Sequence, residues 1–288
     1  MVGLGRMGAN MAERLGRHDH EVVGFDPHND ATDVGSLEDL VRALDGEGPR
    51  LVWSMVPAGD ITEQKVDGLG RLLAPGDLVV DGGHSNWTDS VRRAEALAER
   101  QIQFVDAGVS GGVWGLDNGY CLMVGGEDGA VALAQPVFDA LAPTDGFAHV
   151  GPVGTGHFTK MVHNGIEYGL MQAYAEGYEI LDRSGLGIDA EAALAAWRHG
   201  SVVRSWLLDL LVAALEKTPN LEGIRGVAAD SGEGRWTINE AVRLGVAAPV
   251  LSAALYARFV SQQETSTAMQ VFAALRNQFG GHAIDIQE

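Results

Sequence analysis

Three features of the 288-residue sequence predict an α/β domain built on a parallel sheet, followed by a smaller all-α domain. Short apolar runs alternate with amphipathic stretches through the first half, and a glycine-rich turn opens the chain. After Gly151-Pro152-Val153-Gly154 the strand signal gives way to long helix-periodic segments. The length agrees, since a prior of about 100–200 residues per domain favours two. The boundary is placed between residues 153 and 154, giving domains 1–153 and 154–288.

The strands are expected at Glu21–Asp26, Leu51–Val56, Leu78–Asp81, Gln103–Asp106 and Tyr120–Val124, with amphipathic helices such as Asn10–Leu15 and Asp89–Arg100 between some of them. A strand of this kind has about five residues, yet only Met1 and Val2 precede Gly3. The first strand therefore reads as clipped, and a few further residues are expected ahead of it in the natural chain. The second domain is expected to be all-helical, with segments Lys160–Leu181, Ala190–His199, Ser205–Leu215, Ile238–Gly245, Ala253–Phe259 and Thr265–Phe279. Pro219–Glu233 mixes Gly, Pro, Asn and Asp and reads as irregular.

A hydrophobic content of 46% with 20% charged residues is that of a globular chain. No apolar run reaches the roughly 18 residues of a membrane helix, and MVGLGRMG carries no signal-peptide stretch. With one cysteine, Cys121, no internal disulfide can form, and a cytoplasmic location is expected. Cys121 sits in an apolar run and reads as a buried strand residue. The formal charge of −19 argues against nucleic-acid contact, which rests on Lys and Arg neutralising phosphates. It also requires any anionic substrate to be met by locally concentrated cations, which screening over about 8–10 Å permits. Lys65, Lys160 and Lys217 are the only lysines, a pattern of salt-adapted proteins and equally of chains that favour Arg over Lys. His18, His20 and His28 lie among polar residues and read as solvated. No His, Cys and Asp spacing suggests a metal site.

Gly3, Gly5 and Gly8 form G-x-G-x-x-G, a turn at which a helix N-terminus can bring free backbone N–H groups to a pyrophosphate. The motif opens an amphipathic helix, and Asp26 ends the next strand about 20 residues on, as a Rossmann dinucleotide site requires. Asp26 can accept hydrogen bonds from both ribose hydroxyls and would repel a 2′-phosphate, so NAD is expected over NADP. Leu4, Arg6, Met7 and Val56 are expected beside the same cofactor.

Lys160, His163, Asn164 and Glu167 fall at i, i+3, i+4 and i+7, on one face of a helix. The opposite side carries Met161, Val162, Ile166, Leu170 and Met171, and a helix apolar nearly all round is expected to be buried. Buried Lys and Glu then need partners or a chemical task.

The run Lys160-Met161-Val162-His163-Asn164-Gly165-Ile166-Glu167-Tyr168 resembles the catalytic-helix signature of the 6-phosphogluconate dehydrogenases, and GLGRMGANMA from Gly3 to Ala12 resembles their nucleotide loop. The likeness covers essentially the whole chain, in the short form that lacks most of the long form's helical domain. It implies oxidative decarboxylation of 6-phosphogluconate to ribulose 5-phosphate and CO2. Lys160 is implied as the base for the 3-hydroxyl and then as the acid polarising the 3-keto group; burial would favour its neutral form. Decarboxylation of such a β-keto acid needs no metal, and Glu167 is implied to protonate C1 of the enediol. Asn164, His163 and the Ser110-Gly111-Gly112 loop are implied to orient hydroxyls and carboxylate. Tyr168, Arg258 and Arg276 are implied to take the phosphate. Arg276 and His282, in the tail Arg276-Asn277-Gln278-Phe279-Gly280-Gly281-His282, are implied to reach the neighbouring subunit's site in a homodimer or homotetramer.

Two departures stand out. His84 follows Asp81-Gly82-Gly83 where the family usually has Asn, leaving His84 and Asn86 as the substrate-loop candidates. Gly232-Glu233-Gly234-Arg235-Trp236-Thr237 lacks a cation and a hydroxyl of the long-form phosphate loop, and Glu233 would be repulsive if it pointed inward. Other β-hydroxyacid dehydrogenases, acting on 3-hydroxyisobutyrate or tartronate semialdehyde, share the glycine loop and the Lys but are not expected to carry the His-Asn-Gly-Ile-Glu-Tyr run. A non-catalytic NAD sensor has no reason to keep both Lys160 and Glu167.

Overall fold

The computed structural model describes residues 1–44 and 46–285, and the chain divides into two compact units, Met1–His163 and Asn164–Glu288. In order, the first unit contains α1 (Arg6–Arg17), α2 (Leu37–Ala43), β1 (Leu51–Ser54), α3 (Asp60–Leu72), β2 (Leu78–Asp81) and α4 (Trp87–Ala98). It continues through β3 (Gln103–Ser110), the short α5 (Gly115–Asn118), β4 (Cys121–Gly126), α6 (Asp128–Leu141) and β5 (Phe147–Gly151). The strands form one sheet in the order β1-β2-β3-β4-β5.

Side-chain alternation along the central strands feeds two cores. Leu78, Val80, Val105 and Ala107 face Met11 and Leu15 of α1 and Phe138 of α6, whereas Val52, Val79 and Phe104 face α2, α3 and α4 through Leu40, Leu69 and Leu97. At about 25 cal/mol per Å2 of buried apolar area, each such side chain contributes about 1.5–3 kcal/mol, and together they hold the sheet between two helical layers.

The sheet is not wholly parallel as expected: β3 and β4 pair antiparallel, with Ser110 opposite Cys121. The connection of β3 to β4 is too short for the crossover that parallel neighbours need. Glu21–Asp26 does not form a regular strand either. Val2 bridges Phe25 on one side and Ser54 on the other, as isolated bridges outside the regular strands. Phe147–Gly151 forms a strand that alternation did not predict. Cys121, read as buried, is exposed: Tyr120 and Leu122 are fully buried, and the pleat turns the residue between them to the other face at the rim of the sheet.

The second unit is helical. Helix α7 (Thr155–Arg183) starts in the first unit and continues through the second, followed by α8 (Ala190–Trp197), α9 (Trp206–Lys217), α10 (Glu233–Leu244), α11 (Pro249–Ser261) and α12 (Thr267–Gly280). Helix starts follow local chemistry: Asp189, Ser205 and Ser266 cap α8, α9 and α12 through their side-chain oxygens, and Pro249 opens α11. Leu194, Leu208, Val212 and Leu215 make one small core, and Tyr168, Ala254 and Leu255 another. Helix α12 buries none of its residues, and Phe272, Leu275 and Phe279 lie exposed. The apolar side of α7 is only partly covered, with Met161 buried but Ile166 and Leu170 exposed, so the expectation of burial all round fails on that side. Among the described residues no helix is long and apolar enough to cross a membrane.

Candidate functional site

The glycine loop of the first unit is shaped for a backbone approach. Gly3 has φ +89°, and a Cβ on Gly8 would stand 2.0 Å from the Gly3 carbonyl oxygen, so both positions exclude a side chain. Gly5 N-caps α1 without a side-chain hydrogen bond, so no capping side chain covers the first-turn N–H groups, the kind of helix start that suits an anion. The Asp26 carboxylate accepts the Leu4 N–H at 2.8 Å and the His28 N–H at 2.9 Å, and Asn29 donates to the Leu4 carbonyl. Leu4 and Val56 are buried behind the loop, Met7 is half-buried and Arg6 is exposed. The residues of this cradle fit a dinucleotide.

After β2, Asp81 organises the loop that carries His84 and Asn86. Asp81 accepts the Gly83 N–H at 3.1 Å, the Ser85 hydroxyl at 2.8 Å and Arg93 at 3.3 Å, and Arg93 also donates to Ser85. Arg93 and Asp81 are both buried, and breaking such a pair typically costs about 3–5 kcal/mol because one charge is left uncompensated. His84 is exposed, while Asn86 spends its side-chain oxygen capping α4, accepting from Thr88 N–H and Thr88 Oγ1. The Ser110-Gly111-Gly112 turn ends β3; Ser110 Oγ lies 3.4 Å from His163 Nε2, and Asn10 of α1 donates to the Val113 carbonyl just beyond.

Lys160 is set in place by β3. The buried Asp106 carboxylate accepts Gly154 N–H at 2.6 Å and His157 N–H at 2.7 Å, which satisfies orphan donors at the start of α7 and suits the positive end of its dipole. Burial nevertheless raises the Asp106 pKa, outweighing the His157 ring and the backbone N–H groups that lower it. His157 Nδ1 hydrogen-bonds Ser90 Oγ at 2.7 Å, tying the same turn to α4. A Cβ at Gly108 would meet Lys160 Cβ at 2.4 Å and the Gly156 carbonyl oxygen at 2.9 Å, so only glycine lets α7 approach β3 this closely. Lys160 is 5% exposed.

In the second unit, Asn164 and Tyr168, one turn apart on α7, engage the loop before α10. Asn164 Nδ2 donates to Glu233 Oε2, Ser231 Oγ donates to the same oxygen at 3.3 Å, and Tyr168 Oη lies 3.0 Å from Ser231 Oγ. Arg258 lies over the Tyr168 ring, 3.4 Å from its centroid, and donates to the Ala229 carbonyl. Arg235 pairs with Asp230 and stacks on Phe259. The Asp230 pKa is lowered: burial acts the other way and is its largest single influence, but Arg235, the Gly232 N–H and Arg258 together outweigh it. Glu167 is half-buried on α7, and Arg276 and His282 are exposed on α12 and just past it.

Residues 1–151 match the family described as the NAD binding domain of 6-phosphogluconate dehydrogenase, and residues 156–285 match its C-terminal domain. The chain is 41% identical over 295 residues to an NAD(+)-dependent, decarboxylating 6-phosphogluconate dehydrogenase of Haloferax volcanii, covering 99% of this chain and 97% of that protein. The chain belongs to the 6-phosphogluconate dehydrogenase family. It is 36% identical to the decarboxylating 6-phosphogluconate dehydrogenase of Haemophilus influenzae over 91% of its length but spans 59% of that longer protein. Among solved structures, Plasmodium falciparum 6-phosphogluconate dehydrogenase superposes with a TM-score of 0.82 at 26% identity, over 100% of this chain and 66% of that one. Mycobacterium tuberculosis 3-hydroxyisobutyrate dehydrogenase superposes at 0.72 over 96% of this chain and 97% of that one, but at 24% identity this likeness speaks to the fold alone.

Within this member of the family, the residues that sequence reading passed over are those that act through others. In the sequence Asp106 reads as the end of a strand and Ser231 and Asp230 as polar residues of an irregular segment, and His157 lies ahead of the helix expected from Lys160. The distant partners of Asp106, His157 and Ser231 stand 48 to 67 residues away, so no local spacing marks them, whereas Asp230 pairs with Arg235 five residues on. Glu233 carried a signal, standing between two glycines in a loop otherwise suited to cations, and the structure shows that its carboxylate does point inward.

Proposed function

We propose that this chain oxidises and decarboxylates 6-phosphogluconate to ribulose 5-phosphate and CO2, with NAD preferred over NADP. The observation that carries the reading is helix α7, which presents Lys160, His163, Asn164 and Glu167 at i, i+3, i+4 and i+7 with Lys160 buried and its turn anchored by Asp106.

Gly3, Gly5, Gly8 and Asp26 would hold NAD, which supplies the hydride acceptor when bound. Lys160 takes the proton of the 3-hydroxyl as C3 is oxidised, then returns it toward the 3-keto oxygen so that the electrons left by departing CO2 have somewhere to go. Asn164 and His163 orient hydroxyls, and Ser110, Gly111 and Gly112 receive the carboxylate. His84, and Asn86 through its remaining amide N–H groups, face the sugar chain. Glu167, two turns or roughly 10 Å along α7 from Lys160, protonates C1 of the enediol. Arg258, held flat by the Tyr168 ring, takes the phosphate together with Arg276, which with His282 serves the partner subunit of a homo-oligomer.

The assay is NADH absorbance with 6-phosphogluconate, 3-hydroxyisobutyrate and gluconate in parallel, with CO2 release measured alongside. Turnover of 6-phosphogluconate with one CO2 per NADH is expected. NADH without CO2, or turnover only of 3-hydroxyisobutyrate, overturns the reading.

A further inference from the structure

Glu233 is a buried carboxylate, 4% exposed, at the first position of α10, where the positive end of the helix dipole favours its charge. An ionised carboxylate accepts hydrogen bonds and donates none. Asn164 can therefore face it only with its amide nitrogen, and the Asn164 Oδ1 is turned the other way. That bond distinguishes the two ends of the amide, setting the donor toward Glu233 and the acceptor away from it.

The same carboxylate directs a chain of protons. Ser231 gives its hydroxyl proton to Glu233 Oε2, so its oxygen accepts from the Tyr168 hydroxyl at 3.0 Å, and the Tyr168 oxygen in turn accepts the Ser231 N–H at 3.3 Å. The single proton of the phenol is thereby used inside the protein. Tyr168 braces the loop and supports Arg258 with its ring.

We infer that Glu233 is a positioning residue for Asn164, holding the amide so that its Oδ1 accepts from a substrate hydroxyl. The inference rests on Asn164 serving as a substrate-orienting residue as proposed above. It explains how this chain keeps an inward acid in a loop that needs to tolerate an anionic substrate: the charge is consumed by donors on α7 and on its own loop.

The test is steady-state kinetics with NAD and 6-phosphogluconate on wild type, E233A, E233Q, N164A and N164A/E233A. E233A should lower kcat about 30-fold with the KM for NAD unchanged, while E233Q, whose amide oxygen still accepts from Asn164, stays within about threefold of wild type. N164A/E233A should be no slower than N164A alone, because the residue acts through Asn164. Losses that multiply in the double variant, or an E233Q as slow as E233A, overturn the inference. Should E233A not fold, the exchanged pair decides. N164D sets two carboxylates against each other, and N164D/E233Q restores a donor and an acceptor, so kcat should recover at least about tenfold over N164D; no recovery overturns it. A wild type that fails to turn over 6-phosphogluconate sinks the functional reading itself, a separate outcome.

Discussion

The backbone N–H of Leu4 is hydrogen-bonded to Asp26 Oδ2 at 2.8 Å, which joins the glycine loop to the end of the neighbouring extended segment through the side chain expected to meet the ribose. With the other oxygen held by the His28 N–H, the carboxylate cannot swing aside for a 2′-phosphate. NADP should give a kcat/KM at least about tenfold below that of NAD, and Asp26→Ala should narrow the gap. Equal efficiency with the two cofactors in the wild type contradicts this.

Lys160→Met should lower turnover by about 10^3-fold while NAD binding, followed by titration of protein fluorescence, stays within about twofold, since general acid and base groups contribute about 10^2–10^4-fold and the proposed role of Lys160 is toward substrate. Gly108→Ala should act on the same group indirectly, because the added methyl group collides with Lys160 Cβ and the Gly156 carbonyl. A loss of at least about 2 kcal/mol of stability or a fall in kcat is expected from such overpacking. A wild-type Gly108→Ala enzyme would show that α7 is free to move away.

Glu167→Gln should slow protonation of the enediol more than oxidation at C3. A single-turnover burst of NADH should survive in this variant while steady-state release of ribulose 5-phosphate falls. Equal loss of burst and steady state would place both steps on the same group.

Glu63 reads out the ion pairs that brace α3 against α4. Arg92 at 2.5 Å and Arg93 at 3.0 Å lower its pKa from 4.5 to about 2, against desolvation. The stabilisation is therefore present above pH 4.5 and is lost as pH falls toward 2. Because the Glu63 side chain is 41% exposed, screening keeps it to about 1 kcal/mol. Glu63→Gln should lower the urea midpoint at pH 7 and differ less from wild type at pH 3; a difference that does not change with pH would mean the charge contributes nothing.

Arg276→Ala and Lys160→Met, each nearly inactive alone, should restore activity when mixed under conditions of subunit exchange. One site of each mixed dimer would carry neither lesion if the tail serves the partner. The unburied α12, with Phe272, Leu275 and Phe279 exposed, suits an element that packs outside its own subunit. Demonstrated exchange with no recovery of activity rules out shared sites.

Nearest-neighbour chemistry and the helical or strand period are legible in the amino-acid sequence alone. The spacing of Gly3, Gly5 and Gly8 specifies a turn that opens a helix, and the polar stripe from Lys160 to Glu167 follows from 3.6 residues per turn wherever the helix lies. The resemblance to 6-phosphogluconate dehydrogenases rested on these local runs, and the helices of the second half were legible for the same reason. Which long-range partners complete them depends on how the chain packs. Asp106 reaches Gly154 and His157 across 48 and 51 residues, and Glu233 meets Asn164 across 69. The antiparallel β3 and β4 pairing and the exposure of Cys121 likewise depend on how the strands meet. Periodicity states which face a side chain occupies; what stands opposite that face is settled by chain closure and packing, which carry no trace in local spacing.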